Sequence, residues 1–106
     1  MNMKETAQCL AELGNETRLR LFRHLVKMGP KSIPVGEIQK ELGIPASTLS
    51  HHVGRLAKVG LIEQKRDGRI LYCSPCYHKL QSLIDFLVDE CCQGERCEVN
   101  PKNSCC

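Results

Sequence analysis

The chain has 106 residues, of which 42% are hydrophobic, and a formal net charge of +3 at pH 7. This length allows one hydrophobic core rather than two. No apolar run approaches the roughly 18 residues that cross a bilayer, and the start, MNMKETAQC, lacks the apolar segment of a signal peptide. We therefore expect a cytoplasmic protein without a membrane partner, in a compartment where thiols stay reduced.

The charge is distributed unevenly. Residues 45–72 carry five lysines and arginines against two carboxylates, whereas residues 77–106 carry three against five. A basic middle segment is compatible with nucleic-acid binding, although a charge cluster is also typical of an ordinary solvated surface.

The first third of the chain predicts two short amphipathic helices. KETAQCLAELG is one, ended by Gly14, and NETRLRLFRHLVKMGP begins at the N-cap Asn15 and ends at Gly29-Pro30. The second helix has a stripe that we expect to be buried, made of Leu21, Phe22, Leu25 and Val26.

Two helices in close succession follow. PVGEIQKELG opens with Pro34 and closes on Gly43, and PASTLSHHVGRLAKVG starts after a very short turn. This spacing predicts a helix-turn-helix. At about 100° per residue, Leu49, Val53 and Leu56 share one face of the second helix, which must be the core face. The opposite side presents short donors and long cations of the kind that contact base edges and phosphates, namely Ser47, Thr48, Ser50, His51, Arg55 and Lys58.

The next segment, LIEQKRDGRILYC, predicts a β-hairpin. Two β-prone runs lie on either side of Asp67-Gly68, which favours a two-residue turn. Lys65, Arg66 and Arg69 are at its tip. A basic hairpin directly after a helix-turn-helix is a wing, so double-stranded DNA becomes the expected partner.

These residues resemble a known family. The run LGIPASTLSHHVGRLAKVGLIEQKRDGRILYC looks like the DNA-binding core of the ArsR family of arsenic- and metal-responsive winged-helix repressors, and NETRLRLF resembles its early helix signature. The resemblance covers roughly residues 5–90. It implies a homodimer that binds a near-palindromic operator and releases it when an inducer binds. Pro45-Ala46 departs from the Ser-Gln that many members carry there.

Two inducer sites of the family are excluded by residue type. The arsenite site at the start of the third helix needs a Cys-Val-Cys-Asp-Leu stretch, where this chain has Pro34-Val35-Gly36-Glu37-Ile38. The zinc site along the last helix needs paired Asp and His residues, and this helix has only His78.

The thiols near the end of the chain are therefore the candidate sensor. We expect the last helix to run from about Pro75 to Cys92, with an apolar stripe broad enough to pack on its own domain and on a partner copy. On a continued helix Cys97 would lie roughly 7.5 Å beyond Cys92, but Gly94 can reverse the chain. Three thiolates could then converge, which suits As(III) or Sb(III). Several arsenic repressors of the family have a similar Cys-Cys pair and third Cys, which match Cys91, Cys92 and Cys97.

The cysteines also allow other interpretations. Disulfide staples are disfavoured in a reducing compartment by a sequence patterned for a core. The run YCSPCY resembles a thioredoxin-type motif, which would make Cys73 and Cys76 a thiol-disulfide oxidoreductase pair. A redox or persulfide sensor needs only two neighbouring thiols and keeps the DNA-binding interpretation, and a sensor of Cd, Pb or Zn is a further alternative. Cys9 is expected to be a small buried hydrophobe, and nothing assigns Cys105 or Cys106.

The sequence thus predicts a mainly α winged helix-turn-helix protein with about five helices and one two-stranded wing, forming a homodimer. Residues 1–92 would be the DNA-binding and dimerisation domain, and residues 93–106 a cysteine-rich tail. The expected function is an As(III)- or Sb(III)-responsive repressor of an arsenic-resistance operon, not an enzyme, with the metalloid as inducer and no organic cofactor.

Overall fold

The computed structural model describes residues 1–89, which form five helices and three short strands. In chain order the elements are α1 (Met3–Leu13), α2 (Glu16–Met28), β1 (Ile33–Pro34), α3 (Val35–Leu42), α4 (Ala46–Lys58), β2 (Ile62–Asp67), β3 (Ile70–Pro75) and α5 (Tyr77–Val88). The predicted architecture, mainly helical with a helix-turn-helix and a wing, is confirmed. None of the helices in this part of the chain is long and apolar enough to cross a membrane.

The ends of the first helices follow local sequence signals. The side chain of Asn15 accepts a hydrogen bond from the backbone N–H of Arg18 at 3.0 Å, which confirms it as the N-cap of α2. Asn2 caps α1 in the same way through Glu5 at 2.8 Å. Gly43 has φ +65°, a left-handed conformation that ends α3 and turns the chain into α4 within three residues.

The wing is the antiparallel pair β2 and β3. Asp67 pairs with Ile70, so the two turn residues are Gly68 and Arg69. The expected turn at Asp67-Gly68 is therefore wrong by one residue, because Asp67 still belongs to the strand ladder. Gly68, with φ +64°, takes the first turn position. The short strand β1 adds to the other edge of β3, and the sheet order is β1-β3-β2. Two residues are too few to give a strand pattern in the sequence.

A single core joins the helices to the sheet. Leu49, Val53 and Leu56 are all buried, as their shared face predicts. In the stripe predicted for α2, Leu21, Phe22 and Leu25 are buried and Val26 is half-buried. The other buried apolar side chains are Cys9, Ile33, Ile38, Ile44, Leu61, Ile62, Cys73 and Leu83.

The last described helix is shorter than expected at both ends. Pro75 is the last residue of β3, and the backbone of Asp89 is extended, with ψ 132°. Asp85 and Asp89 place negative charge at the end of α5, where the helix dipole disfavours it. The boundary predicted between the domain and the tail, and the thiols of Cys91, Cys92 and Cys97, lie outside the described residues.

Helix α5 has two differently packed apolar sides. Leu83 is buried in the core and Leu80 is half-buried against it, whereas Ile84 and Leu87 are exposed. The structure thus confirms one of the two packing partners predicted for the apolar stripe of α5, which is the helix's own domain.

Candidate nucleic-acid interface

Helix α4 presents a polar face opposite its core face. Leu49, Val53 and Leu56 fix the rotation of the helix, since turning it would expose all three to water. The donors predicted to contact DNA are consequently exposed, namely Ser47, Thr48, Ser50, His51 and Lys58. Hydroxyl, imidazole and ammonium groups on one helix face match the donors used toward base edges and phosphates in a major groove.

The wing adds a second set of cations. Lys65 and Arg66 on β2 and Arg69 in the turn are all exposed. A cleft of about 720 Å³ lies between the wing and the helix-turn-helix, and Ser50, Arg66 and Arg69 contribute to its wall. The structure thus brings part of the α4 set and part of the wing set to the same cleft.

The sequence interpretation missed one cation at this cleft. Lys40 of α3 also lines this cleft and is exposed. The sequence displays this lysine, but Arg66 and Arg69, which line the same cleft, come 26 and 29 positions later. That they share a cleft depends on how α3 packs on the sheet. A lysine here can contact a phosphate on the flank of the α4 site.

Arg55 differs from the other predicted DNA contacts because it is already engaged within the chain. Its Nε donates to Oε2 of Glu12 at 2.7 Å and its Nη2 donates to Oε1 at 2.7 Å. These hydrogen bonds, followed by the charges of Arg55, Arg18 and Lys58, hold the pKa of Glu12 below its ordinary value against the opposing effect of burial. Arg55 remains half-exposed, while the carboxylate of Glu12 is almost covered.

His52 is the buried member of the adjacent histidine pair. It is 8% exposed, and its Nδ1 lies 3.3 Å from Nη1 of Arg18. Because a guanidinium can only donate, Nδ1 accepts and the ring must be neutral in this contact. Burial, together with the charge of Arg18 and the neighbouring His51, lowers the pKa of His52. His52 therefore positions α4, and His51 is the histidine that faces solvent.

The chain is similar in sequence to known helix-turn-helix regulators. A family described as a helix-turn-helix domain matches residues 13–65. An HTH-type transcriptional regulator of Methanocaldococcus jannaschii is 32% identical over 87 residues, covering 82% of this chain and 94% of that protein. The biofilm growth-associated repressor of Xylella fastidiosa is 29% identical over 92 residues, covering 87% of this chain and 78% of the repressor.

A solved structure extends the match to the whole fold. The homodimeric winged helix-turn-helix DNA-binding domain Mb0332 of Mycobacterium bovis, described as a possible ArsR-family transcriptional regulator, superposes with a TM-score of 0.65. The match covers 92% of this chain and 90% of that domain at 22% identity. The chain belongs to a family of helix-turn-helix transcriptional regulators, and its fold is the winged one of this Mycobacterium bovis domain.

The structure describes both thiols of the thioredoxin-type run YCSPCY. Cys73 lies in β3, paired with Gln64, and is fully buried; burial raises its pKa to about 11. Cys76 is half-buried just before α5 and donates its backbone N–H to the carbonyl of Leu61 at 2.8 Å. A buried, protonated Cys73 is a poor nucleophile, which is the opposite of what a thioredoxin-type pair requires.

Cys9 is buried as expected. Its Sγ lies 3.7 Å from the carbonyl oxygen of Val59, and burial is the main reason that its pKa is raised. Within residues 1–89, no three or more Cys, His, Asp and Glu side chains are grouped so that they could hold a metal ion. The residues predicted to bind metalloid, Cys91, Cys92 and Cys97, are beyond this range.

Proposed function

We propose that this chain is a homodimeric transcriptional repressor that binds operator DNA and releases it when As(III) or Sb(III) binds Cys91, Cys92 and Cys97. The observation that carries the DNA-binding part is the polar face of α4 beside the basic wing. Its rotation is fixed by three buried side chains, so the donors are held toward a partner without rearrangement. In the complex, two copies of α4 would enter successive major grooves about one helical turn apart, with the wings on the flanking backbone.

Exposed apolar side chains support pairing with a second copy. Leu10 on α1 and Tyr77, Ile84 and Leu87 on α5 are each more than a third exposed. Large apolar side chains on two helices are typical of an interaction surface. The Mycobacterium bovis relative is homodimeric, and a two-fold arrangement of α4 helices suits a near-palindromic operator.

The chemistry of the tail thiols supports a pyramidal metalloid site. Binding of arsenous acid would form three As–S bonds, while the three hydroxyl groups leave as water with the three thiol protons. Three thiolates satisfy the coordination of As(III), whereas a closed zinc site wants a fourth ligand. Leu87 precedes Cys91 by four residues, so closure of the site would act on the chain next to the exposed apolar side of α5.

The required coupling is small in energetic terms. A tenfold loss of DNA affinity corresponds to about 1.4 kcal/mol, and allosteric couplings of about 1–3 kcal/mol are common. By thermodynamic reciprocity, bound DNA would weaken metalloid binding by the same factor.

The test uses the full chain and a fluorescent duplex selected by the protein from a random-sequence pool. Under reducing conditions, As(III) and Sb(III) should release the duplex, measured by anisotropy. Replacing Cys91, Cys92 and Cys97 by Ser should keep DNA binding and abolish the response, whereas Cys105→Ser with Cys106→Ser should respond like the native chain. Release by Cd(II), Zn(II) or an organic persulfide, but not by As(III), would contradict the metalloid assignment.

A further inference from the structure

Glu12, near the end of α1, carries a nearly buried carboxylate outside the proposed DNA and metalloid contacts. It is 7% exposed, and both of its oxygens accept hydrogen bonds from the guanidinium of Arg55 on α4. Such a two-point contact fixes direction as well as distance, because the planar guanidinium and the planar carboxylate align. One turn of α1 is thereby attached to the helix that faces DNA.

A second set of contacts, through Arg18, also joins the end of α1 to α4. The backbone carbonyl of Glu12 accepts a hydrogen bond from Nε of Arg18 at 2.7 Å, and Nη1 of Arg18 lies 3.3 Å from His52. His52 and Arg55 are three residues apart on α4 and so are neighbours on its surface. The side chain and the backbone of Glu12 therefore reach adjacent positions of α4 by separate routes.

The contacts of Arg55 fit attachment to α1 better than contact with DNA. At about 100° per residue, Arg55 is about 60° from buried His52 and about 20° from Thr48, where the exposed side of α4 borders the buried side. Its hydrogen bonds to Glu12 direct the guanidinium toward α1. One edge of the guanidinium, formed by Nε and Nη2, is already used by Glu12.

We propose that Glu12 and Arg55 form a positioning pair that sets the orientation of α4 relative to α1, and so determines sequence-specific DNA binding. This inference rests on the proposed function. α1 also carries exposed Leu10 and contacts α5 through Glu5 and Lys79, whose charged atoms are 3.9 Å apart. A change in the packing of α1 and α5 would reach the DNA-facing helix through Glu12.

The alternative is that Arg55 contacts a DNA phosphate and Glu12 competes for it. The two roles predict opposite signs for Glu12→Gln. If the pair positions α4, Glu12→Gln and Arg55→Gln each weaken binding to the selected duplex by at least about fivefold, in the range of typical couplings. The double variant should be no weaker than the weaker single variant, because both changes break the same contact. If Glu12 competes with DNA, Glu12→Gln strengthens binding.

Two further readouts separate positioning from phosphate contact. A mispositioned α4 loses affinity for the selected duplex and keeps its affinity for an unrelated duplex, whereas a lost phosphate contact weakens both equally. The slope of log K against log salt should stay unchanged in Arg55→Gln; a lost phosphate contact would reduce it by about 0.9 per contact. This salt measurement needs only the Arg55 variant and therefore holds even if Glu12→Gln does not fold.

Matched controls remove the same charges elsewhere. Glu16→Gln and Arg23→Gln, both exposed on α2, should bind the selected duplex like the native chain. Unchanged or tighter binding by Glu12→Gln, with native-like circular dichroism, would overturn the positioning role. Failure of the native chain to select any duplex would instead overturn the proposed function, so the two failures are distinguishable.

Discussion

Nη1 of Arg18 lies 3.3 Å from Nδ1 of His52, and this contact joins the start of α2 to the buried side of α4. The two residues are 34 positions apart, and the contact exists only when the imidazole is neutral. It places a titratable group in the interior beside a permanent cation.

This contact predicts a stability that depends on pH. The pKa of His52 is lowered by burial and by Arg18, so between the unfolded value, near 6.5, and the lower folded value the unfolded chain binds more protons. The contribution of His52 is present above about pH 6.5 and is lost as the pH falls through its folded pKa. His52→Asn keeps an acceptor for Arg18 without titrating. In urea unfolding, the free energy of unfolding should therefore fall less between pH 7.5 and pH 5.5 for this variant than for the native chain. The same reduction in His51→Asn, which changes an exposed ring, would contradict the assignment.

The core predicts a sharp contrast between two leucines of α2. Leu21 is fully buried and Leu19 is 41% exposed. Leu21→Ala should lower the free energy of unfolding by about 2–5 kcal/mol because it removes buried methyl groups and leaves a cavity. Leu19→Ala should cost less than about 1 kcal/mol. Urea titrations followed by circular dichroism measure both, and equal losses would show that the burial difference does not control stability here.

The wing predicts a change in salt dependence. Arg66 is exposed at the cleft beside α4, and its loss should remove one phosphate contact per subunit. In Arg66→Gln, the slope of log K against log salt should become shallower by about 0.9 per contact, with similar weakening on selected and unrelated duplexes. Arg23→Gln removes the same charge from α2, so a matching change there would indicate a general charge effect rather than a wing contact.

The thiols of the described domain predict an order of chemical reactivity. Cys73 is fully buried with a pKa raised to about 11, and Cys76 is half-buried. Because the thiolate is the reactive form, iodoacetamide at pH 7.5 should label Cys76 well before Cys73 in the native protein. Peptide mass spectrometry over time measures this order, and unfolding in urea should abolish the difference. Rapid labelling of native Cys73 would revive the dithiol interpretation.

Local signals carried much of the fold prediction. The Asn15 cap, the Gly43 turn and the spacing of Leu49, Val53 and Leu56 depend on residues within one or two turns of each other, so the sequence displays them directly. The wing was recognisable from its glycine, but its turn was misplaced by one residue because the pairing of Asp67 with Ile70 depends on the whole ladder.

Helix caps and periodicity are properties of neighbouring residues, so the order of the elements, the family resemblance and the polar face of α4 follow from the sequence alone. Which donor on that face is engaged within the chain depends instead on tertiary packing. Arg55 looks like Lys58 in the sequence, yet Glu12, 43 positions earlier, holds it at 2.7 Å. Lys40 reaches the wing cleft in the same non-local way. Pairings of this kind arise from how helices pack together, and helix packing depends on the complementary shapes of distant surfaces rather than on local pattern.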